Sequence, residues 1–191
     1  MTAGAVLLIS GVHDEEPPQP SRVQAFSTAA DSTRPAVHPL PPADPVGLRI
    51  AAIGVNAPIT RVGLDAAGAL RTPPGGRSVV GWYGDGTAPG SAGTAVAAGH
   101  VDTPTGDPGV FHDLGALTEG TTIEISRADR RTAVFAVRAV ELYDRKRFPS
   151  KKVYGSSGRP ELRLITCGGG YTERTGYLGN VVVYATLAAV T

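Results

Sequence analysis

The chain has 191 residues, 41% of them hydrophobic, which is enough to bury one substantial core and makes a single domain the default. Its 18 basic and 17 acidic residues leave a formal charge of +1, so no broad basic field draws it to nucleic acid or to an anionic membrane. A single cysteine excludes an internal disulfide and a Cys-rich metal site, no dedicated Ca²⁺ cluster of carboxylates stands out, and no cofactor is expected.

Residues 1–12 are apolar and small (AGAVLLISGV from Ala3), then turn acidic at Asp14. The stretch is too short to span a bilayer, which takes about 20 apolar residues, and it lacks the basic flank of a signal peptide. It reads either as a loosely packed leader or as the remnant of a longer membrane anchor. Residues 13–46 are rich in Pro, Ser, Thr, Asp and Ala. Such a composition does not offset chain ordering by burial and predicts an extended linker, partly polyproline II. The folded domain is expected over 47–191.

Within it, Leu48–Val55 and Ala57–Val62 read as short strands, with a turn and a further short strand over Ala66–Leu70. Val79–Tyr83 is a strand followed by a glycine-rich loop to Gly93. Thr94–Gly99 is a buried strand ending at His100. A loop over Asp102–Gly109 leads to a helical turn at Val110–Leu114. Thr121–Arg127 and Thr132–Tyr143 are longer strands, and Phe148–Tyr154 is a loop with room for one helical turn. Glu161–Thr166 and Asn180–Leu187 close the chain, flanking a glycine-rich loop that carries Cys167. Seven or eight short strands with frequent turn signals imply a mostly β barrel or sandwich.

Cys167 follows the run LRLIT and precedes Gly168 to Gly170. A lone thiol where a strand meets glycine is open to a substrate backbone, unlike the usual buried cysteine. His100 is the matching acid/base candidate, because it also ends an apolar strand after glycine. His13 and His38 lie in the linker, and His112 fits a surface turn. Asp102 can orient the imidazole or cap its loop. Stabilising an oxyanion calls for donors or positive charge near the thiol. Arg163, Arg174 and the backbone N–H groups of the loop beginning at Gly168 are the candidates. Strand alternation puts Arg163, Ile165 and Cys167 on one face, opposite Leu162 and Leu164.

The segment LITCGG followed by NVVV, with AGHVD upstream, resembles the sortases, the cysteine transpeptidases of Gram-positive bacteria with a TLxTC-type strand. The series AGHVD, VFHDLGAL, FPSKKVYG, LRLITCGGGY and NVVVYA is most similar to the class F sortases of actinobacteria and covers roughly Val46 to Ala188. The resemblance implies a closed β-barrel of seven or eight strands with short helices. It implies that Cys167 attacks the Thr–Gly bond of an LPxTG-like sorting signal to form a thioacyl enzyme. His100 then protonates the leaving amine and deprotonates the incoming one, which is of peptidoglycan or pilin type. It further implies a monomer held at the outer face of the cell membrane by its N-terminus, with no nucleic-acid partner. The resemblance also implies that Thr166, which matches the family pattern, and Gly168 support the loop geometry or contact the substrate. Many sortases carry their arginine immediately before the last strand, where this chain has Asn180; Arg174 is therefore expected to fill the role, with Asn180 as a weaker neutral donor. An L,D-transpeptidase reading fails because Ile165 and Thr166, not a Ser-His-Gly run, precede the cysteine. The alternative from another class is a non-catalytic extracellular β-barrel binding module in which Cys167 is buried.

Overall fold

Eight strands close on themselves in the computed structural model, which describes residues 16–26, 37–66, 70–71, 73, 76–103, 105–172, 174 and 176–191. The segment 1–12 lies outside the described residues, as do His13 and most of the short strand expected over Ala66–Leu70. The strands are β1 (Pro45–Ile50), β2 (Val55–Val62), β3 (Val80–Tyr83), β4 (Gly93–Ala98), β5 (Thr122–Arg127), β6 (Thr132–Asp144), β7 (Pro160–Thr172) and β8 (Gly176–Val190). Around the barrel their order is β1-β2-β3-β4-β7-β8-β6-β5, with β5 returning to β1, so the sheet has no free long edge. The β2–β3 and β4–β7 pairs are parallel; the others are antiparallel.

Alternation sorts the side chains. Leu162 and Leu164 on β7 point inward with Leu48, Ile50, Phe111 and Phe135. Arg163 and Ile165 face outward, where α1 (Ser150–Tyr154) covers β7 and β8 with Val153 against Val182 and Tyr184. The buried Arg163 guanidinium pins this cover. It donates to the Val153 carbonyl (3.2 Å) and the Glu161 carboxylate (2.8 Å) and lies 4.5 Å from the Tyr184 ring centre.

Three of the differences from the sequence reading have a local physical reason. The run expected as one strand from Leu48 to Val55 breaks after Ile50 into a 3₁₀ turn, Ala51–Ile53, and Gly54 takes φ +66° to turn the chain into β2. The helical turn expected at Val110–Leu114 is a 3₁₀ turn over His112–Ala116. The third difference concerns the glycines after Cys167, which belong to a continuous hairpin. Gly168 pairs with Gly179 and Tyr171 with Tyr177, so β7 carries one extra residue there, a bulge built on Gly169 (φ +78°) and Gly170 (φ +73°).

The described parts of the expected linker, 16–26 and 37–44, are hydrogen-bonded to the barrel. Gln24 Nε2 donates to the carbonyls of Gly115 (2.9 Å) and Leu117 (2.7 Å), and the Phe26 ring packs edge-on against Tyr184. Farther along, Leu40 N–H donates to the Gly90 carbonyl (2.8 Å), and the buried Arg127 guanidinium donates to the Pro41 and Pro89 carbonyls. Composition undercounts this docking because it rests on a few polar side chains meeting backbone carbonyls that sheet pairing leaves free.

Candidate active site

The parallel β4–β7 pair assembles the site. It sets Ala98 beside Ile165, and the two chains then run on to His100 and Cys167, two residues past each. Residues far apart in sequence thereby reach the same end of the sheet. The junction is tied twice: Gly99 N–H donates to the Ile165 carbonyl (3.2 Å) and Thr166 Oγ1 donates to the Gly99 carbonyl (3.0 Å). Thr166 is buried, so this bond fixes the approach of the two strands just before the reactive side chains. On the far side of His100, its carbonyl accepts from Phe111 N–H (2.9 Å). A Cβ on Gly109 would stand 2.4 Å from that oxygen, so glycine alone allows the 101–109 loop to lie this close.

Cys167 and His100 line one cavity of about 440 Å³ on the outer face of the barrel, together with the polar side chains of Asp102, Arg145, Tyr177 and Asn180. Ala98, Phe148, Tyr154 and Ile165 add apolar lining. The thiol is exposed at the mouth. Burial of its surroundings nonetheless pushes its pKa above the ordinary thiol value, the Asp102 carboxylate pushes it further up, and Arg145 pulls it down. At neutral pH the resting cysteine is therefore a thiol, and it needs a base to become the nucleophile.

A sortase-domain family model matches residues 48–188. The chain belongs to the sortase family. Among solved structures it is similar to the SrtA sortase from Actinomyces oris, with TM-score 0.56 and 22% identity over 84% of this chain and 89% of that one. Sortase A from Listeria monocytogenes gives TM-score 0.55 and 16% identity over 78% and 90%. Sortase A from Corynebacterium diphtheriae gives 0.55 and 19% over 78% and 61%. Identities this low speak to the fold: a mostly β, closed eight-stranded barrel with few short helices. Comparison with curated proteins finds no match. Family and fold together imply transpeptidase activity.

On this sortase barrel the candidate residues separate. Asn180 stands directly across from Cys167 on β8 and lines the cavity, as does Asp102, whose Oδ2 accepts the Tyr177 hydroxyl (2.6 Å). Gly168 faces Gly179; a Cβ there would meet Val181 at 2.8 Å. The next N–H along, that of Gly169, donates to Gln19 Oε1 (2.9 Å), so one of the loop donors considered for the oxyanion already has a partner. Arg163 is held in the α1 cover. Arg174 is exposed at the tip of the β7–β8 hairpin, beyond the Thr172–Gly176 pair, and does not line the cavity. His112 pairs with Asp113 (3.1 Å) at a separate surface turn, as its setting suggested.

Arg145, Phe148 and Tyr177 are the site residues that sequence reasoning missed. For Arg145 a signal existed. Tyr143 pairs with Asn180 across β8, just as Cys167 does, and Arg145 follows Tyr143 by two positions. Finding it required the register of β6 on β8, which neither strand states alone.

Proposed function

We propose that this chain is a cell-surface cysteine transpeptidase of class F type that cleaves an LPxTG-like sorting signal between Thr and Gly and passes the acyl part to an amine. The observation that carries the reading is the sharing of one cavity by Cys167, His100 and Arg145, with an apolar wall beside the thiol. His100 takes the thiol proton and the thiolate adds to the Thr carbonyl carbon. The C–N bond then breaks, with His100 returning the proton to the leaving Gly amine. An amine of peptidoglycan or pilin type attacks the thioester, loses its proton to His100 and expels the thiolate.

Arg145 supplies the positive charge beside the thiol, since it lines the cavity and already favours the thiolate. Arg174 lies at the hairpin tip beyond Thr172, which is itself five residues past Cys167, on the order of 16 Å. Asn180 adds a neutral donor, and Thr166, Gly168 and Asp102 hold the surrounding backbone and loops. The domain acts at the outer face of the membrane of an actinobacterial cell, held there on its N-terminal side. No described helix is itself long and apolar enough to cross a membrane.

Incubation with LPxTG-like peptides and an amine acceptor tests the reading. Cleavage, a mass-detected acyl adduct on Cys167 and loss of both in Cys167→Ala are expected. Absence of cleavage and adduct across the peptide panel would overturn it. The binding-module alternative requires a protected thiol, and the thiol is exposed.

A further inference from the structure

A second cavity of about 320 Å³ lies on the same outer face, lined by Leu64, Leu70, Tyr83, Thr87, Val96 and Tyr154 among others. Leu70 and Tyr154 line both cavities, so the two adjoin along the outside of β4. Among the described residues, no charged side chain lines the second cavity. Its volume sits at the small end for ligand sites of roughly 300–1,000 Å³, which suits one or two side chains.

We propose that this cavity is a subsite for a large apolar side chain of the protein substrate, upstream of the sorting motif. The proposal rests on the transpeptidase reading above. Its position follows from the ladder. Val96 pairs with Arg163 and Thr94 with Glu161 on β7, levels four and six residues back from Cys167. At a rise of about 3.3 Å per residue these levels lie about 13 and 20 Å from the thiol. An extended peptide has a similar rise. Counting the residue acylated onto Cys167 as the first, the motif's own Pro and Leu, the third and fourth, fall over Ala98, Ile165 and Phe148. The fifth to seventh residues reach the second cavity.

The acceptor amine does not fit this place. It must reach the thioacyl carbon at Cys167, and an uncharged apolar cavity disfavours a cation without compensating partners.

The test uses peptides that keep one sorting motif and carry Ala, Leu or Phe at each of the three upstream positions. Two readouts are taken: kcat/KM with the wild-type protein, and binding of the labelled peptides to Cys167→Ala by fluorescence anisotropy. Leu or Phe is expected to be preferred over Ala by about tenfold at one or more of the three positions, the scale at which an apolar pocket distinguishes small changes in side-chain size. Leu64 is exposed at the rim, and Leu64→Asp is expected to flatten the preference to within about twofold by the same reasoning. Cleavage of every peptide at equal rates, with equal binding, would overturn the subsite and leave the transpeptidase reading intact. Binding with the expected preference but no cleavage would overturn that reading and keep the subsite.

Discussion

Replacing Arg145 by Ala is the sharpest test of which cation serves Cys167. Cys167 and Tyr143 both pair with Asn180, so they stand two strand spacings apart, about 10 Å. Arg145 lies two residues beyond Tyr143, about 7 Å further along, which sets its Cα roughly 12 Å from that of Cys167. A guanidinium lining the shared cavity spans much of that gap. At about 6 Å, the outer range at which one charge perturbs the ionisation of another, a unit pair is worth about 2.8 kcal/mol at an effective dielectric near 20 and about 0.7 kcal/mol in water. Arg145 is exposed, so its interaction with an oxyanion or thiolate falls between these limits. Arg145→Ala is therefore expected to lower kcat/KM for an LPxTG-like peptide by roughly 3- to 100-fold. Arg174→Ala is expected to stay within about twofold, because its tip position leaves it screened and distant. Adding Asn180→Arg to Arg145→Ala should restore part of the loss by returning a cation to the strand position facing the thiol. An Arg145→Ala enzyme as active as wild type, beside an Arg174→Ala enzyme reduced tenfold or more, would refute this reasoning.

The thiol itself reports its neighbours. The Asp102 carboxylate raises the Cys167 pKa, so Asp102→Asn should lower it and speed alkylation by iodoacetamide at a fixed mildly alkaline pH; Arg145 lowers it, so Arg145→Ala should slow the same reaction. Rate–pH profiles that shift in the opposite order, or not at all, would contradict the placement of these charges. Arg163 is expected to matter for folding rather than chemistry. Arg163→Ala leaves the mostly buried Glu161 carboxylate without its guanidinium, a loss of about 3–5 kcal/mol measurable by denaturant unfolding, while the folded fraction keeps a reactive Cys167.

The outward face shared by Arg163, Ile165 and Cys167 was legible from alternation alone, as was the inward face of Leu162 and Leu164, because a strand's period of two needs no partner. The neighbourhood of His100 and Cys167 was legible only as a suspicion. Each ends an apolar run, but what brings them together is a parallel pairing between distant segments, and either strand looks the same from sequence whichever neighbour it takes. Arg145 was hidden for a related reason, since its relation to the thiol passes through two antiparallel registers.

The glycines after Cys167 show how a correct residue can suggest the wrong structure. Three glycines read as the end of a strand, since glycine weakens one. Here two of them take positive φ and let β7 accommodate one extra residue while the hairpin continues. Simple alternation from Asn180 would turn Tyr177, three positions away on β8, from the face that carries Cys167. Yet Tyr177 lines the cavity and donates to Asp102. A bulge bends the strand and increases its local twist, which re-aims the side chains beyond it. The glycine stretch therefore does more than leave space beside the thiol. Beyond it, Tyr177 reaches the His100 loop through its hydrogen bond to Asp102. That carboxylate adds to burial in raising the Cys167 pKa, against the opposite pull of Arg145, so the hairpin beyond the bulge touches a group that acts on the nucleophile's ionisation.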